Sequence, residues 1–508
     1  MKGHNNSIRA QKLRKLQELK AEGVPAYGYK FERTHKAAQV ISEFDYLKTD
    51  EFADEEIRLC GRIMNQRFTW TFIDIADDSG TVQLVCDKSK LSKDTLRQLR
   101  LLDRGDIIGV KGRAMRTKNG PPSVCVESWE LLAKSLQALP ESAAALSDVE
   151  QRYRNRHLDL LFNEEARAML LKRSKAITTL RGFLDGRGFL EVETPILQVQ
   201  AGGAEAKPFI THHNSLDIEM QMRISPEFYL KRLLIGGIER VYEIGKNFRN
   251  EGISARHNPE FTSIELFQAY SDYYELMDLT ESMLRHIAVS VCGGGKINYQ
   301  GVELDFEQPF KRITMTDAIE NVLGIDVDSV ESFEELKDIA NALGVRLSDE
   351  DLRGEIVNAI FEQKVEQTLI QPTFLMEQPE EVSTLQAPHR SRTGYAERFE
   401  LYIFGREVAH GCSELIDPRL QRSRFEAQTR KRANGHEEMP ALDAEFVMAM
   451  EYGMPPMMGL GIGIDRFVMF LCNAPSIRDV IAFPTMKPLP RVAEMGSHLA
   501  DTDIREVG

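Results

Sequence analysis

Three groups of residues in this 508-residue chain have the types and spacing to do chemistry on a phosphate ester. The first is Phe248-Arg-Asn-Glu followed by Arg256-His-Asn-Pro-Glu-Phe-Thr. Two strands joined by a loop would bring Arg249, Glu251, His257 and Phe261 to one face, since side chains alternate across a strand. Arg249 can then bind a phosphate and stabilise charge developing on it, Glu251 can accept from an adenine amino group, and Phe261 can stack on the ring. Each residue alone has a plain structural explanation, because Arg–Glu pairs and buried Phe are common; the set has a weaker one.

The second group is Gly459-Leu-Gly-Ile-Gly-Ile-Asp-Arg-Phe, a glycine-rich strand running into an apolar helix with Arg466 at the junction. Glycine lets a ligand or another side chain approach the backbone closely, and an arginine there can grip terminal phosphates. The spacing is neither that of a P-loop nor that of a dinucleotide fingerprint.

The third group is a set of glutamates in apolar settings: Glu227, Glu265, then Glu400, Glu407 and Glu414 at intervals of seven. Alternation along strands is expected to converge them on one cavity. Carboxylates facing a triphosphate would hold magnesium, which gives Glu400, Glu407 and Glu414 as metal candidates; others would pair with a cationic substrate.

The elements that must position these groups come in two kinds. Residues 7–22 place Leu13, Leu16 and Leu19 at helical spacing among Lys and Arg, a basic amphipathic helix that suits a phosphate backbone or a solvated surface. From about 56 to 135, five short alternating segments broken by Gly, Asp and Asn predict a small closed β-barrel of the OB type, in which Phe72 is either a base-stacking or a core residue. Small residues around 139–157 predict a linker. Beyond it, helices over 165–187, 275–291 and 332–368 and a proline-stopped strand from Phe189 predict an α+β domain on an antiparallel sheet. The expected layout is therefore an N-terminal extension (1–50), a barrel (51–138), the linker, a catalytic domain (158–488) with a helical insertion near 310–368, and a tail (489–508).

Composition sets outer bounds. Hydrophobic residues make up 42% and charged residues 28%, ordinary for a globular protein. No apolar run approaches membrane-spanning length and the N-terminus is polar and basic, so a cytoplasmic location is expected. Six scattered cysteines without a C-x-x-C pair suggest neither a zinc site nor a disulfide framework. The net charge of −14 argues against a protein that coats nucleic acid, yet residues 1–140 carry 24 Lys and Arg against 19 Asp and Glu. That front segment, at +5 against −19 for the remainder, suits a module meeting a polyanion, or simple drift of charge between domains.

Together these motifs resemble the class II lysyl-tRNA synthetases, from the N-terminal helix to about Lys487. Gly188-Phe-Leu-Glu-Val-Glu-Thr-Pro looks like the first motif of that class, which builds a dimer interface; the Arg249 and Arg466 segments look like the second and third. Gly202-Gly-Ala, Lys207-Pro-Phe, Tyr229-Leu-Lys-Arg-Leu and Pro475-Ser-Ile-Arg-Asp-Val resemble the lysine branch. The resemblance implies ATP and Mg2+ as cofactors, lysine or a lysine-like amino acid and tRNA as partners, and a homodimer. It places Arg249 and Arg466 on the phosphates as the catalytic pair, Glu251, His257, Asn258 and Phe261 around ATP, and Glu400 with Glu407 on magnesium. Glu227 would take the α-ammonium and Glu265 and Glu414 the ε-ammonium, with Gly203, Phe267, His410 and Cys412 lining the amino-acid pocket. Arg67 and Phe72 fall at the anticodon-reading turn of the barrel.

Departures from the family pattern cluster around the amino acid. His410, Cys412 and Phe267 stand where the family has Asn, an aromatic and Tyr, and Ser383-Thr-Leu-Gln-Ala replaces Ser-Pro-Leu-Ala-Lys. The Arg67-to-Phe72 turn is about two residues short and the Lys-Phe-His-Gly run of the linker is absent. Two expectations follow: lysine activation with transfer to the 3′ end of tRNA(Lys), or a paralogue that adenylates another cationic amino acid for a non-tRNA acceptor. A non-enzymatic RNA-binding reading conflicts with retention of both arginines and the magnesium glutamates.

Overall fold

A computed structural model describes residues 2–68, 70–118, 120–141, 146–348, 350–433 and 442–489. The tail from 490 onward and residues 142–145 of the expected linker lie outside these. The chain forms two compact units, Met1–Ser147 and Asp148–Gly508, divided inside the expected linker. The linker is shorter than predicted: Val149–Arg154 and Arg156–Phe162 are helices of the second unit, capped by Asp148 at the first.

In the first unit, strands β1 (Phe52–Arg67), β2 (Phe72–Ala76), β3 (Thr81–Val85), β4 (Ile107–Arg116) and β5 (Pro122–Ala133) close a barrel in the order β1-β2-β3-β5-β4. The alternation read from the sequence is what fills it: Ile57, Leu59, Ile63, Ile73, Ile75, Val82 and Leu84 all point inward. The helix Lys2–Ala21 buries Leu16 and Leu19. Two of its lysines serve its own unit: Lys15 pairs with Asp103, and Lys12 donates to the carbonyls of Arg104 and Gln137. The helix is thus a docked element, with correspondingly less free positive charge than its sequence offers a phosphate backbone.

The second unit is built on an eight-stranded sheet. In chain order its strands are β6 (Leu190–Glu191), then, after a separate small sheet of β7 (Leu197–Gln198), β8 (Ile210–His213) and β9 (Ile218–Met222), β10 (Arg240–Phe248) and β11 (Glu260–Ala269). The hairpin β12 (Lys296–Tyr299) and β13 (Val302–Asp305) stands apart, followed by β14 (Lys311–Thr314), β15 (Thr373–Met376), β16 (Arg398–Tyr402), β17 (Glu407–Ser413) and β18 (Met457–Gly463). The spatial order is β14-β15-β16-β17-β18-β11-β10-β6, antiparallel except at β14/β15 and at β6/β10. The strand expected from Phe189 is only two residues long. The expected insertion starts with a strand of the main sheet, and its helical stretch splits into Phe333–Ala342 and Arg353–Lys364 over a core of its own.

Strand periodicity gives this sheet two different faces. Ile264 and Leu266, Leu460 and Ile462, Phe399 and Leu401 pack into a core shared with the helices Glu164–Asp185, Tyr273–Cys292 and Ile464–Leu471. The alternate residues face the other way, and there the register aligns Glu400, His410, Gly461, Glu265 and Glu243 directly across five strands. The next row is Arg398, Cys412, Gly459, Phe267 and Val241. Truncating a core leucine such as Leu460 to alanine would cost about 2–5 kcal/mol, so the apolar layer fixes the polar one firmly.

Candidate active site

Glycine makes the polar face usable. A Cβ on Gly459 would lie 2.0 Å from Glu414 Oε1 and 2.5 Å from the Phe267 ring, and one on Gly461 would lie 2.9 Å from the His410 ring. Strand β18 is bare on this face because side chains of β11 and β17 lie across it. Gly203 meets a second requirement: its φ is +82°, and a Cβ there would press on Glu227 at 2.8 Å.

Seven is an odd interval, so strict alternation along β17 would send Glu407 and Glu414 to opposite faces. A bulge intervenes: Leu401 pairs with Ala409 but Tyr402 pairs with Glu407, leaving Val408 as the extra residue. Both Val408 and Ala409 enter the apolar core, and Glu407 turns to the side of Glu400. There Glu400 accepts from Arg398 and from the Tyr402 hydroxyl, each at 2.6 Å. Glu414 lies apart. It is buried, its Oε2 is 2.5 Å from Lys231 Nζ, and it lines none of the cavities that hold Glu400 and Glu407. The structure therefore separates Glu414 from Glu400 and Glu407, with Lys231 rather than a metal as its counter-charge.

A cavity of about 200 Å³ is lined by Arg249, Glu251, His257, Asn258, Phe261, Glu265, Glu407, His410 and Arg466 among others. Their positioning differs from the expected two-strand arrangement, since Arg249, Glu251 and His257 lie in the loop between β10 and β11. The loop is tied down by Asn258, whose side chain donates to the Glu260 carbonyl and accepts from the Thr485 amide, and so holds the loop as well as lining the cavity. Ser254 Oγ accepts from the amides of Arg256 and His257.

Arg466 donates to the Glu407 carbonyl at 2.9 Å and lies 3.2 Å from His257 Nε2. A guanidinium has no acceptor, so Nε2 is the unprotonated nitrogen. Burial, and then Arg466, lower the His257 pKa, in keeping with a neutral ring. Arg249 sits 5.2 Å from the centre of the Phe261 ring, and its Nε is buried with no hydrogen-bond partner among the described residues. Burial draws this guanidinium below its ordinary pKa against the pull of Glu251, Glu407 and Glu265. It is a cation in need of an anion.

A second cavity of about 270 Å³ shares Arg249, Glu265, Glu407 and His410 with the first and adds Gly203, Ser225, Glu227, Phe228, Arg398, Glu400 and Gln386. Ser225 Oγ lies 2.9 and 3.0 Å from the two oxygens of Glu265, which has no ion-pair partner among the described residues. Burial and the neighbouring Glu227 push its carboxyl up to about 8, although Ser225, His410 and Arg249 oppose the shift. Glu265 is the complement of Arg249: an acid in need of a cation. His410 lies 3.5 Å from Glu407; burial lowers its pKa, but the hydrogen bond and charge of Glu407 outweigh it and the net direction is upward. Phe267 and Cys412 are buried beside Glu414 and line neither cavity.

Magnesium fits these donors. It prefers one or two carboxylates plus phosphate oxygens over an all-protein cage, and no group of three or more metal-ligating side chains converges among the described residues.

A family model described as tRNA synthetases class II (D, K and N) matches residues 148–487. The chain belongs to the class II tRNA synthetases. A model of an OB-fold nucleic acid binding domain matches residues 57–132 of this synthetase. It is similar to a Lysine--tRNA ligase of Carboxydothermus hydrogenoformans, with 48% identity over 485 residues, 95% of this chain and 98% of the relative. Lysine--tRNA ligases of Nostoc punctiforme (46% over 502 residues, 97% and 90%) and Clostridium perfringens (47% over 486 residues, 95% and 96%) are similar over comparable spans.

In the barrel, Arg67 and Phe72 are cross-strand partners on the outer face, where Arg67 pairs with Asp74 at 2.8 Å. Phe72 is half-buried and lies edge-on to Phe68, ring centres 5.9 Å apart; Phe68 is 75% exposed. Phe72 is therefore outside the core, and Phe68 is an aromatic that the sequence reading passed over. Other omissions are Ser225, Arg398 and Lys231. Ser225 adjoins Pro226-Glu227 and Lys231 stands one helical turn after Glu227, so local signals existed; nothing local marks the Lys231–Glu414 contact.

Proposed function

We propose that this class II synthetase activates lysine with ATP, giving lysyl-adenylate and pyrophosphate, and passes the lysyl group to the 3′ end of tRNA(Lys). The observation that carries the reading is that Arg249, whose Nε is buried without a hydrogen-bond partner, and Glu265, which has no ion-pair partner among the described residues, line the same two cavities. The names of the relatives support lysine and tRNA as substrates; nothing in them favours another amino acid or acceptor.

The reaction is in-line attack of the lysine carboxylate on the α-phosphorus as pyrophosphate leaves, and it needs no protein nucleophile. Acceleration comes from positioning and charge neutralisation. Arg249 holds the α-phosphate and the carboxylate near it, while Arg466, braced by the Glu407 carbonyl, takes the terminal phosphates. Phe261 offers a face to the adenine and Glu251 an acceptor to its amino group. Glu265, with Ser225 behind it, receives a substrate ammonium. Glu400 and Glu407 would hold Mg2+, which supplies further neutralisation of the triphosphate. On the barrel, Phe68, Phe72 and Arg67 would meet unpaired bases, the two aromatics lying on the outer face.

The enzyme acts in the cytoplasm as a homodimer. Leu190 on the two-residue edge strand β6, and Leu197, Val199, Ile210 and Leu216 on and beside the small separate sheet, are exposed apolar side chains of the kind a second copy would cover. No helix among the described residues is long and apolar enough to cross a membrane.

Amino-acid-dependent pyrophosphate exchange tests the reading. Lysine is expected to be preferred over ornithine and arginine, with charging on adding tRNA(Lys); preference for another amino acid, or exchange without charging, would overturn it. Arg249→Ala is expected to lower exchange by at least about a hundredfold, the scale of losing one preorganised charge-stabilising donor. Near-normal exchange in that variant would remove Arg249 from its assigned role.

A further inference from the structure

A third cavity, of about 460 Å³, lies between the helix Arg353–Lys364, the segment 378–384 and the helix Pro418–Ala433. It shares Glu205, Val382, Thr384, Arg398, Glu400 and Gln428 with the amino-acid cavity, and none of its lining residues lines the cavity of Arg249 and Phe261. Its cations are already paired: Arg398 with Glu400 at 2.6 Å, Arg424 with Glu380 at 2.5 Å and Lys431 with Glu355 at 2.5 Å. Glu205, Glu362 and Glu381 also line it, without an ion-pair partner among the described residues, so its interior disfavours an anion. Two buried amide side chains of the lining are incompletely bonded. Gln428 donates through Nε2 to Glu205 at 2.9 Å and to Thr384 Oγ1 at 3.1 Å, which fixes its orientation and leaves Oε1 without a donor. Gln378 is 1% exposed, and its Nε2 has no acceptor among the described residues.

Buried polar groups are normally hydrogen-bonded, and a pair left open on one cavity wall describes the molecule that would close it. That molecule offers an acceptor to Gln378 and a donor to Gln428, brings no phosphate into the acid-lined interior and adjoins the amino acid. We propose that the third cavity receives the 3′-terminal nucleoside of tRNA, with Gln378 and Gln428 hydrogen-bonding it and its ribose turned to the amino-acid cavity. A nucleoside carries both kinds of group, in its ring nitrogens, amino group and hydroxyls. Access points the same way. Once the adenylate has formed, its nucleotide part fills the cavity of Arg249 and Phe261, so the acceptor has to come to the lysyl carbonyl from elsewhere. The third cavity meets the amino-acid cavity at Arg398 and Glu400 without passing through the first. Charge sorts the remainder of the acceptor: the helix Pro418–Ala433 ends in Arg430-Lys-Arg, so the phosphates before the last nucleoside meet positive charge outside the acidic interior.

This rests on the reading of the chain as an enzyme that charges tRNA, and one set of measurements separates the two. Pyrophosphate exchange, single-turnover transfer from enzyme-bound lysyl-adenylate, and binding of tRNA(Lys) with and without its terminal nucleoside are followed for wild type, Gln378→Met and Ala427→Trp. Ala427 is an exposed residue of the cavity wall, so its variant narrows the cavity without entering the core. If wild type forms no adenylate or transfers none to tRNA, the parent reading fails, and the inference with it. If wild type does both, Gln378→Met is expected to keep exchange within about twofold and slow transfer about tenfold, the scale of one hydrogen bond, with Ala427→Trp slowing it further. Removing the terminal nucleoside should weaken tRNA binding to wild type about tenfold and leave binding to Ala427→Trp unchanged, a difference that a purely structural role would not produce. Transfer at the wild-type rate in both variants, or an equal effect of truncation on all three proteins, overturns the proposal. Loss of exchange in Ala427→Trp at a normal KM for ATP also overturns it, since the cavity would then serve the amino acid. Should Gln378→Met not fold, Ala427→Trp decides alone.

Discussion

Glu265 titrates at about 8 because burial and Glu227 disfavour its charge, and this makes substrate capture depend on pH in a defined direction. The folded chain holds this proton above the ordinary carboxyl range while the unfolded chain has lost it. The group's contribution to stability accordingly falls as pH rises from about 4.5 to about 8. A substrate ammonium reverses that loss, since it favours the carboxylate. Lysine should raise the melting temperature more at about pH 8.5 than at about pH 6.5, and Glu265→Gln should abolish the difference; thermal melts with and without lysine decide it. An equal shift at both pH values would mean that Glu265 does not receive the ammonium. At this scale the sequence was readable for residues carried by a recognisable local run, as with Arg249 and Arg466, which the structure brings to one cavity. It was silent where meaning lies in a contact: Glu227 and Glu414 read as substrate acids, and only folding shows Lys231 between them.

Among elements, β18 is the one whose composition most directly dictates the site. Alternating glycines announced close approach, and the structure supplies the side chains that approach: Phe267, His410 and Glu414. Gly459→Ala should destabilise the domain by about 1–3 kcal/mol, the usual cost of overpacking, and depress exchange with lysine more than it alters the KM for ATP. Denaturant melts and exchange kinetics test this, and a variant as active and stable as wild type would show that the strand has room. Strand β17 is the counter-example. Its glutamate spacing pointed to convergence, but simple alternation gave no reason for Glu407 to face Glu400; the extra residue at Val408 does. The loop between β10 and β11 is longer than the two-strand reading makes it, taking in Arg249, Glu251 and His257, because these polar residues carry no periodicity to distinguish loop from ladder, and its shape depends on Ser254 and on Asn258 reaching Thr485.

Over the whole molecule, the division into a barrel and a sheet domain was legible from the change in hydrophobic period, whereas the boundary fell where weakly patterned helices replaced the expected linker. Phe68→Ala with Phe72→Ala should reduce charging of tRNA by at least about tenfold, through loss of stacking worth about 1–3 kcal/mol per base, and leave tRNA-independent exchange intact. Comparing the two assays on one preparation checks this; equal losses in both would place the aromatics in folding instead. Leu197→Asp with Val199→Asp should shift the protein from dimer to monomer in light scattering, and a persistent dimer would move the interface elsewhere. Among the described residues, the buried apolar clusters draw on residues 19–131 in the first unit and on residues from 176 onward in the second. Damage is partitioned accordingly. A lesion that melts the barrel should leave adenylate formation running and deprive it of its RNA, while one that melts the sheet silences both activities, so ranking variants by the ratio of the two rates locates an unmapped lesion without a structure.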